Sequence, residues 1–127
     1  MSGRFLHDLL KNNGLQAYSG EHTRVLLLTQ GDKLVSFCTL SDWDDIEPTE
    51  LTPWIGFVYT FPEYRGNRHV GRLIDYAARF AKNDGFRKLY VCTDQEGIYE
   101  NFGFHYLDTR KDRRGGETMV YVRVLYI

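Results

Sequence analysis

The stretch from Phe61 to Ile74 has the residue types and order of a phosphate-binding turn. A strand rich in aromatic residues ends, the chain turns through Gly66 and Asn67, and an amphipathic helix begins. The first N–H groups of a helix have no partner inside it, and the helix dipole adds partial positive charge there. Such a turn can bind a phosphate or pyrophosphate without a dedicated side chain, although many similar turns bind nothing. Three arginines lie close by in the sequence: Arg65, Arg68 and Arg72.

Two other phosphate-binding loops are disfavoured by the same stretch. No Gly-Lys-Ser/Thr sequence follows the turn, and no Gly-x-Gly-x-x-Gly sequence opens the helix. The turn therefore differs from the loops typical of P-loop nucleotide hydrolases and of dinucleotide-binding domains.

The elements that must position this turn follow from hydrophobic spacing. One apolar stripe predicts a helix of about four turns that stops at 83–85; its members are Val70, Leu73, Ile74, Ala77, Ala78 and Ala81. Residues Arg4–Asn13 predict an N-terminal helix, and Asp94 is expected to cap a short helix through Asn101 that Gly103 closes. The predicted strands are Thr23–Thr29, Leu34–Leu40, Trp54–Phe61, Lys88–Thr93, His105–Arg110 and Met119–Tyr126.

This order of elements predicts a mixed α/β fold. The strand–helix–strand unit in the middle implies a parallel pair with a right-handed crossover. Gly115 and Gly116 favour a hairpin between the last two strands. No repeat or linker interrupts the chain, so residues 1–127 are expected to form a single domain.

Composition limits the classes of partner. Sixteen Lys and Arg against seventeen Asp and Glu give a net charge of −1 across 127 residues. A near-neutral chain is a poor candidate for binding nucleic acid or an anionic membrane surface. The sequence predicts no signal peptide and no membrane-spanning run, and Cys38 and Cys92 lie in separate apolar segments without Cys-x-x-Cys spacing or a nearby His cluster. We therefore expect free thiols, a cytoplasmic location and no bound metal.

A second block follows the next predicted strand, with the sequence Ile-Tyr-Glu-Asn-Phe-Gly-Phe at 98–104. Together with Pro-Glu-Tyr-Arg-Gly at 62–66, it resembles the Gcn5-related N-acetyltransferase (GNAT) superfamily, whose acyl-CoA loop and Tyr-Glu-x-x-Gly-Phe segment occur in this order. The resemblance covers 54–104 and implies the acyl-CoA N-acyltransferase fold with a shortened N-terminal region. It implies direct acetyl transfer from acetyl-CoA to an amine of a small molecule or a protein.

The resemblance also assigns roles to individual residues. Val58, Tyr59 and Thr60 fall where the family's strand splays from its parallel neighbour and offers main-chain groups to the pantetheine arm. Tyr99 falls on the tyrosine that, in many members, protonates the departing CoA thiolate; the alternative is a packing aromatic. Asn101, on the same short helix, is expected to face the cofactor. The pyrophosphate cradle falls on Arg65, Gly66, Asn67, Arg68, His69, Val70 and Gly71.

The sequence departs from the family pattern in three places. Arg68 and Val70 occupy positions that are usually glycine, few residues precede the first strand, and the strand at 54–61 carries no acidic residue. One wall of the acceptor site is therefore expected to be short or to come from a partner subunit in a homodimer. The general base cannot be assigned, since the loop that holds Asp42, Asp44, Asp45 and Glu47 could attract a cationic amine or be simply solvated. A non-catalytic acyl-CoA-binding regulatory module is the alternative function.

Overall fold

Six strands form one mixed sheet in the part of the chain that the structure describes. A computed structural model describes residues 20, 22–66 and 69–126. The sheet order is β1-β2-β3-β4-β6-β5. The elements are β1 (Arg24–Gln30), β2 (Lys33–Ser41), β3 (Trp54–Thr60), the helix α1 (His69–Asn83), β4 (Lys88–Thr93), β5 (His105–Lys111) and β6 (Glu117–Val124), with 3-10 turns at Pro62–Tyr64 and Tyr99–Phe102. The N-terminal helix predicted at Arg4–Asn13 lies outside the described residues.

The strand pairing confirms the mixed α/β class. β3 and β4, which α1 connects along the chain, pair in parallel, and the other neighbouring strands pair antiparallel. β5 and β6 form the expected terminal hairpin. The predicted strand limits differ from the observed ones by at most two residues. The largest difference is at β6, which starts at Glu117, because the Asp112 carboxylate accepts the N–H groups of Arg114 and Gly116 and tightens the turn before it.

The short helix expected after Asp94 is wrong in its start and its cap. The segment is a 3-10 turn that begins at Tyr99, and no side chain caps it at Ile98. Gly97 adopts a positive φ of 85°, which separates Asp94 from the turn, and its N–H is accepted by Glu100 Oε1 at 3.1 Å. Closure by Gly103, at φ 84°, is confirmed.

The sheet buries different residues on its two faces. On one face α1 packs through the alanines and Leu73 against Ile55, Leu89 and Val91. On the other face the β2–β3 segment covers the sheet, and its Ile46 packs with Trp54 and Tyr90. Because side chains alternate along a strand, Ile55 faces the helix and Trp54 faces the segment. We call these the helix face and the loop face.

β3 and β4 diverge soon after they meet. Their ladder consists of Trp54↔Tyr90 and Ile55↔Val91. Beyond it, β3 contains a bulge against β2, where the register passes from Thr39↔Gly56 to Phe37↔Tyr59. Phe57, inside the bulge, has a φ of 49°, a left-handed conformation that costs a non-glycine residue about 1–2 kcal/mol. The strained backbone thus lies where the parallel strands open.

Candidate active site

A cleft of about 400 Å³ lies where β3 ends and α1 begins. Its walls come from the last residues of the strand, the connecting turn and the first residues of the helix. The lining residues are Val58, Tyr59, Thr60, Tyr64, Arg65, Gly66, His69 and Val70. Seven of them are residues for which the sequence predicted acyl-CoA contacts. Two further predicted residues, Asn67 and Arg68, lie outside the described residues.

The start of α1 is electrostatically suited to an anion. The 15-residue helix α1 directs the positive end of its dipole toward this cleft, and its first turn contains no acidic side chain. His69, the first helical residue, is half-buried with its ring edge-on to Tyr64 at 6.1 Å between centroids. Its Nδ1 is buried without a hydrogen-bond partner in the described part of the chain. The backbone amides of this turn can therefore hold a phosphate or pyrophosphate.

The strand side of the cleft is held firmly by polar contacts. Ser36 Oγ donates to the Tyr59 carbonyl at 2.7 Å, and Arg65 Nε donates to the Thr60 carbonyl at 3.0 Å. The Arg65 guanidinium also lies over the Tyr59 ring, 5.4 Å from its centroid. These contacts fix the backbone of the strand end, so the wall is formed before any ligand binds.

Three residues near the cleft have other surroundings. Gly71 lies against the second 3-10 turn, where an added Cβ would be 3.1 Å from Phe102 Cε1. Asn101 is exposed and donates from Nδ2 to the Gly97 carbonyl at 3.1 Å. Arg72 lines a separate groove with Leu27. The structure does not place these three among the cleft-lining residues, and ligand contact by Gly71 and Asn101 stays a prediction.

Tyr99 lies on the helix face, beside the opening between β3 and β4. Its ring packs edge-on against Phe104, with 5.8 Å between the centroids, and it borders the main core. Burial, followed by the charge of Asp44, raises the pKa of the Tyr99 phenol to about 12. The phenol therefore stays protonated at neutral pH and can donate a proton.

Asp44 is the residue that sequence reasoning did not separate from its acidic neighbours. Its carboxylate accepts a hydrogen bond from Cys92 Sγ at 3.3 Å. Its Oδ1 would lie 2.9 Å from a Cβ placed on Gly56. Burial raises the pKa of the Asp44 carboxyl to about 6, although hydrogen bonds from Cys92 and the Asp45 backbone oppose the shift. The available signal was Gly56 itself, since a glycine inside a strand of bulky residues often marks a close approach.

The nearby acidic residues have different partners. Asp42 accepts from the His22 backbone and ring at 3.1 Å, and Asp45 accepts from the Arg113 backbone at 3.3 Å. The described residues contain no group of three or more His, Cys, Asp or Glu arranged to hold a metal ion. No helix among them is long and apolar enough to cross a membrane. Asp44 thus differs from Asp42 and Asp45 in that its carboxylate meets a side chain of β4.

The sequence of the chain matches a known protein family over most of its length. The sequence model of the acetyltransferase (GNAT) family matches residues 4–104. The chain belongs to the GNAT acetyltransferase family. Comparison with curated proteins gives no match.

Solved structures share the GNAT fold with this chain. A GNAT family acetyltransferase from Elizabethkingia anophelis with acetyl-CoA bound superposes with a TM-score of 0.70 at 16% identity, over 98% of this chain and 84% of that chain. An aminoglycoside 6'-N-acetyltransferase complexed with coenzyme A gives 0.69 at 13% identity, over 96% and 89%. The ribosomal-protein-S18-alanine N-acetyltransferase from Escherichia coli gives 0.67 at 15% identity, over 91% and 77%. At these identities the likeness establishes the fold.

Proposed function

We propose that this GNAT protein is an acetyl-CoA-dependent N-acetyltransferase that transfers the acetyl group directly to an amine of a small molecule or a protein. The observation that carries the proposal is the cleft that joins the diverging end of β3 to the start of α1. It combines a strand edge for an extended arm with a helix start for an anion. Two proteins of the same fold were crystallised with acetyl-CoA or coenzyme A, which supports this use of the cleft.

The residues present fit an acyl-CoA. In our proposal the amides at the start of α1 hold the pyrophosphate, and the main chain of Val58 to Thr60 holds the pantetheine arm. Val70 packs partly into the core, so its side chain does not need to occupy the anion site. Bound acetyl-CoA supplies an activated acetyl group as a thioester.

Tyr99 is the proposed general acid. A thiolate leaving group needs a proton, and a phenol with a pKa of about 12 keeps its proton until the thiolate forms. The two cysteines of the core are poor alternatives as acetyl carriers. Burial raises the pKa of Cys38 to about 12 and also raises that of Cys92, so neither is a thiolate at neutral pH. This favours direct transfer over a covalent acyl-enzyme.

The test combines calorimetry with acetyl-CoA and thiol release in the presence of primary amines. The amines would include a polyamine, an aminoglycoside, a peptide with a free α-amine and a lysine-containing peptide. We expect saturable heat and thiol release with at least one amine. Tyr99→Phe should retain the cofactor affinity and lower kcat by roughly 10- to 100-fold, whereas unchanged turnover would remove the acid role.

A regulatory acyl-CoA-binding module is the second candidate. Val70, at a position that is usually glycine in the family, favours it because the loop is less open. The same experiment separates the two functions, since a binder gives heat with acetyl-CoA and no thiol release with any amine. Absence of heat would contradict both.

A further inference from the structure

We propose that Asp44 accepts the proton that the acceptor amine loses as it attacks the acetyl group, and that Gly56 positions this carboxylate by having no side chain. The proposal rests on the acetyltransferase function above. It assigns the base to the β2–β3 loop, which the sequence left undecided.

The position of the carboxylate carries the argument. The parallel ladder ends at Ile55↔Val91, so the next residues, Gly56 and Cys92, are the first that face each other across the opening. Asp44 contacts both of them: Oδ2 accepts from Cys92 Sγ at 3.3 Å, and Oδ1 would be 2.9 Å from a Cβ on Gly56. One carboxylate thus lies across the point where the strands separate.

Asp44 and Tyr99 approach this point from opposite faces of the sheet. Gly56 and Cys92 lie two residues beyond Trp54 and Tyr90, so they share the loop face with them. Tyr99 packs with the helix-face core. The charge of Asp44 is still close enough to raise the pKa of the Tyr99 phenol. The opening therefore has a carboxylate on one side and a phenol on the other.

A second polar atom faces the same point. Thr39 is only 1% exposed, and its Oγ1 would lie 3.0 Å from the Gly56 Cβ. This oxygen has no hydrogen-bond partner in the described part of the chain. A buried hydroxyl without a partner is costly, and an incoming N–H group would satisfy it. The Thr39 hydroxyl and the Asp44 carboxylate thus both lie against Gly56, at the point where the strands separate.

Four titratable or charged residues interact with Asp44. Asp45, in the same loop, acts to raise the Asp44 pKa, and Arg113, in the β5–β6 turn, acts to lower it. Cys92 on β4 donates to the carboxylate, and the charge of Asp44 raises the pKa of Tyr99 on the helix face. Asp45 and Arg113 are themselves in contact, with 3.3 Å between the Asp45 carboxylate and the Arg113 N–H. Their opposite effects leave burial as the main influence on Asp44.

In the proposed step one bond forms at the acetyl carbon and one bond to the same carbon breaks. The neutral amine forms a bond from its nitrogen to the acetyl carbon, and the bond from that carbon to sulfur breaks. The nitrogen releases one proton to the Asp44 carboxylate, and the departing sulfur receives one proton from Tyr99. Water exchanges with Asp44 and Tyr99 to return both to their starting states, which leaves an amide and a free thiol.

The test is the pH dependence of kcat/KM for three variants, each with acetyl-CoA and the best primary amine of the panel above. We expect the wild type to lose activity below pH 6. Asp44→Asn should lower kcat/KM at pH 8 by roughly 100-fold or more and abolish this loss. Gly56→Ala should displace the Asp44 carboxylate, lower kcat/KM by roughly 10-fold and shift the acid limb of the pH profile of kcat/KM. Asp32→Asn, the same substitution in the exposed β1–β2 turn, should stay within about twofold.

The outcomes distinguish this inference from the proposed function. If the wild type turns over and Asp44→Asn keeps both its kcat/KM and the acid limb of its pH profile, the role of Asp44 is overturned. The acetyltransferase function would then remain intact. An unchanged Gly56→Ala profile overturns the positioning role of Gly56. Absence of thiol release by the wild type with every amine overturns both proposals.

Discussion

Asp44 is a residue whose environment opposes its charge. A carboxyl that is removed from water by burial is harder to ionise than an exposed one, and burial raises the pKa of Asp44 to about 6. Its position at the strand opening gives a reason for this placement, because a stronger base than an ordinary aspartate is available above pH 6. Residues that act in a site often lower the stability of the fold that holds them.

This environment predicts a pH-dependent stability effect of Asp44→Asn. The folded state binds the proton of Asp44 more tightly than the unfolded state, so wild-type stability falls as pH rises from about 4 to 6. The variant lacks this decline. The free energy of unfolding of the variant relative to the wild type should therefore increase by up to about 3 kcal/mol between pH 4 and pH 7.

Urea denaturation at a series of pH values measures this difference. Asp32→Asn, in the exposed turn, is the control and should show no such trend. A difference between Asp44→Asn and wild type that stays constant with pH would contradict the raised pKa.

At the residue scale, the sequence singles out Tyr99, whose role as the acid stays a prediction, and names Asp44 only as one of four neighbouring acidic residues. Tyr99 belongs to a motif of adjacent residues, which a sequence shows directly. Asp44 lies between Asp42 and Asp45 in a loop, and only the folded chain brings it to Gly56, twelve positions away. Which of several neighbouring acids faces the sheet depends on the loop path, and residue type carries no signal of that.

Among the elements, the second 3-10 turn determines where Tyr99 lies. Gly103 ends the turn at φ 84°, and its N–H is accepted by the carbonyls of Glu100 and Tyr99. Arg123 on β6 donates to the Phe102 carbonyl at 3.3 Å and to Asp75 on α1 at 2.8 Å. The turn is thus held to both the sheet and the helix.

Gly103→Ala should destabilise this turn. A Cβ finds ordinary contact distances there, so the cost is the left-handed backbone alone, about 1 kcal/mol in the free energy of unfolding. Gly103→Asn should recover part of the loss, because asparagine tolerates this conformation. Chemical denaturation of the three proteins measures the effect, and equal stability of the alanine variant would show that the turn is not restrained by its glycine.

The elements themselves were largely predictable, and their junctions were not. The strands and α1 follow from periodicity, because each buries one face against the core. Asp94 failed as a cap because Gly97 interrupts the chain before the turn. The contact of Gly71 with the pyrophosphate stays a prediction, and the closeness of Phe102 to this glycine is a packing relation that no local pattern encodes.

Across the whole molecule, the proposed donor cleft joins the strand end to the helix start. Acetyl-CoA bound only to the folded chain should raise the free energy of unfolding by about 2.7 kcal/mol at one hundred times its Kd. S-acetylpantetheine, which lacks the pyrophosphate, should give a much smaller rise at the same concentration because it cannot use the start of α1. Urea denaturation with each compound measures the two values, and equal values would contradict the pyrophosphate site.

The sheet order illustrates the limit of sequence reasoning at this scale. The parallel pair and the terminal hairpin follow from local connections. The insertion of β6 between β4 and β5 does not, since it depends on which strand of the hairpin matches β4 over the run from Lys88↔Val124 to Thr93↔Met119. Such long-range pairing is decided by packing over the whole sheet.

The β2–β3 loop and the β5–β6 hairpin are fastened to each other. The Glu47 N–H is accepted by the Lys111 carbonyl at 3.0 Å, Arg110 Nη1 donates to Thr49 Oγ1 at 3.0 Å, and Asp45 meets the backbone of Arg113. Substitutions in the hairpin would thus be transmitted to the loop that carries Asp44, while the turn before α1 is left untouched. Under the proposed function, substitutions in the hairpin would alter the surroundings of the acceptor amine and leave the proposed acetyl-CoA cleft unchanged.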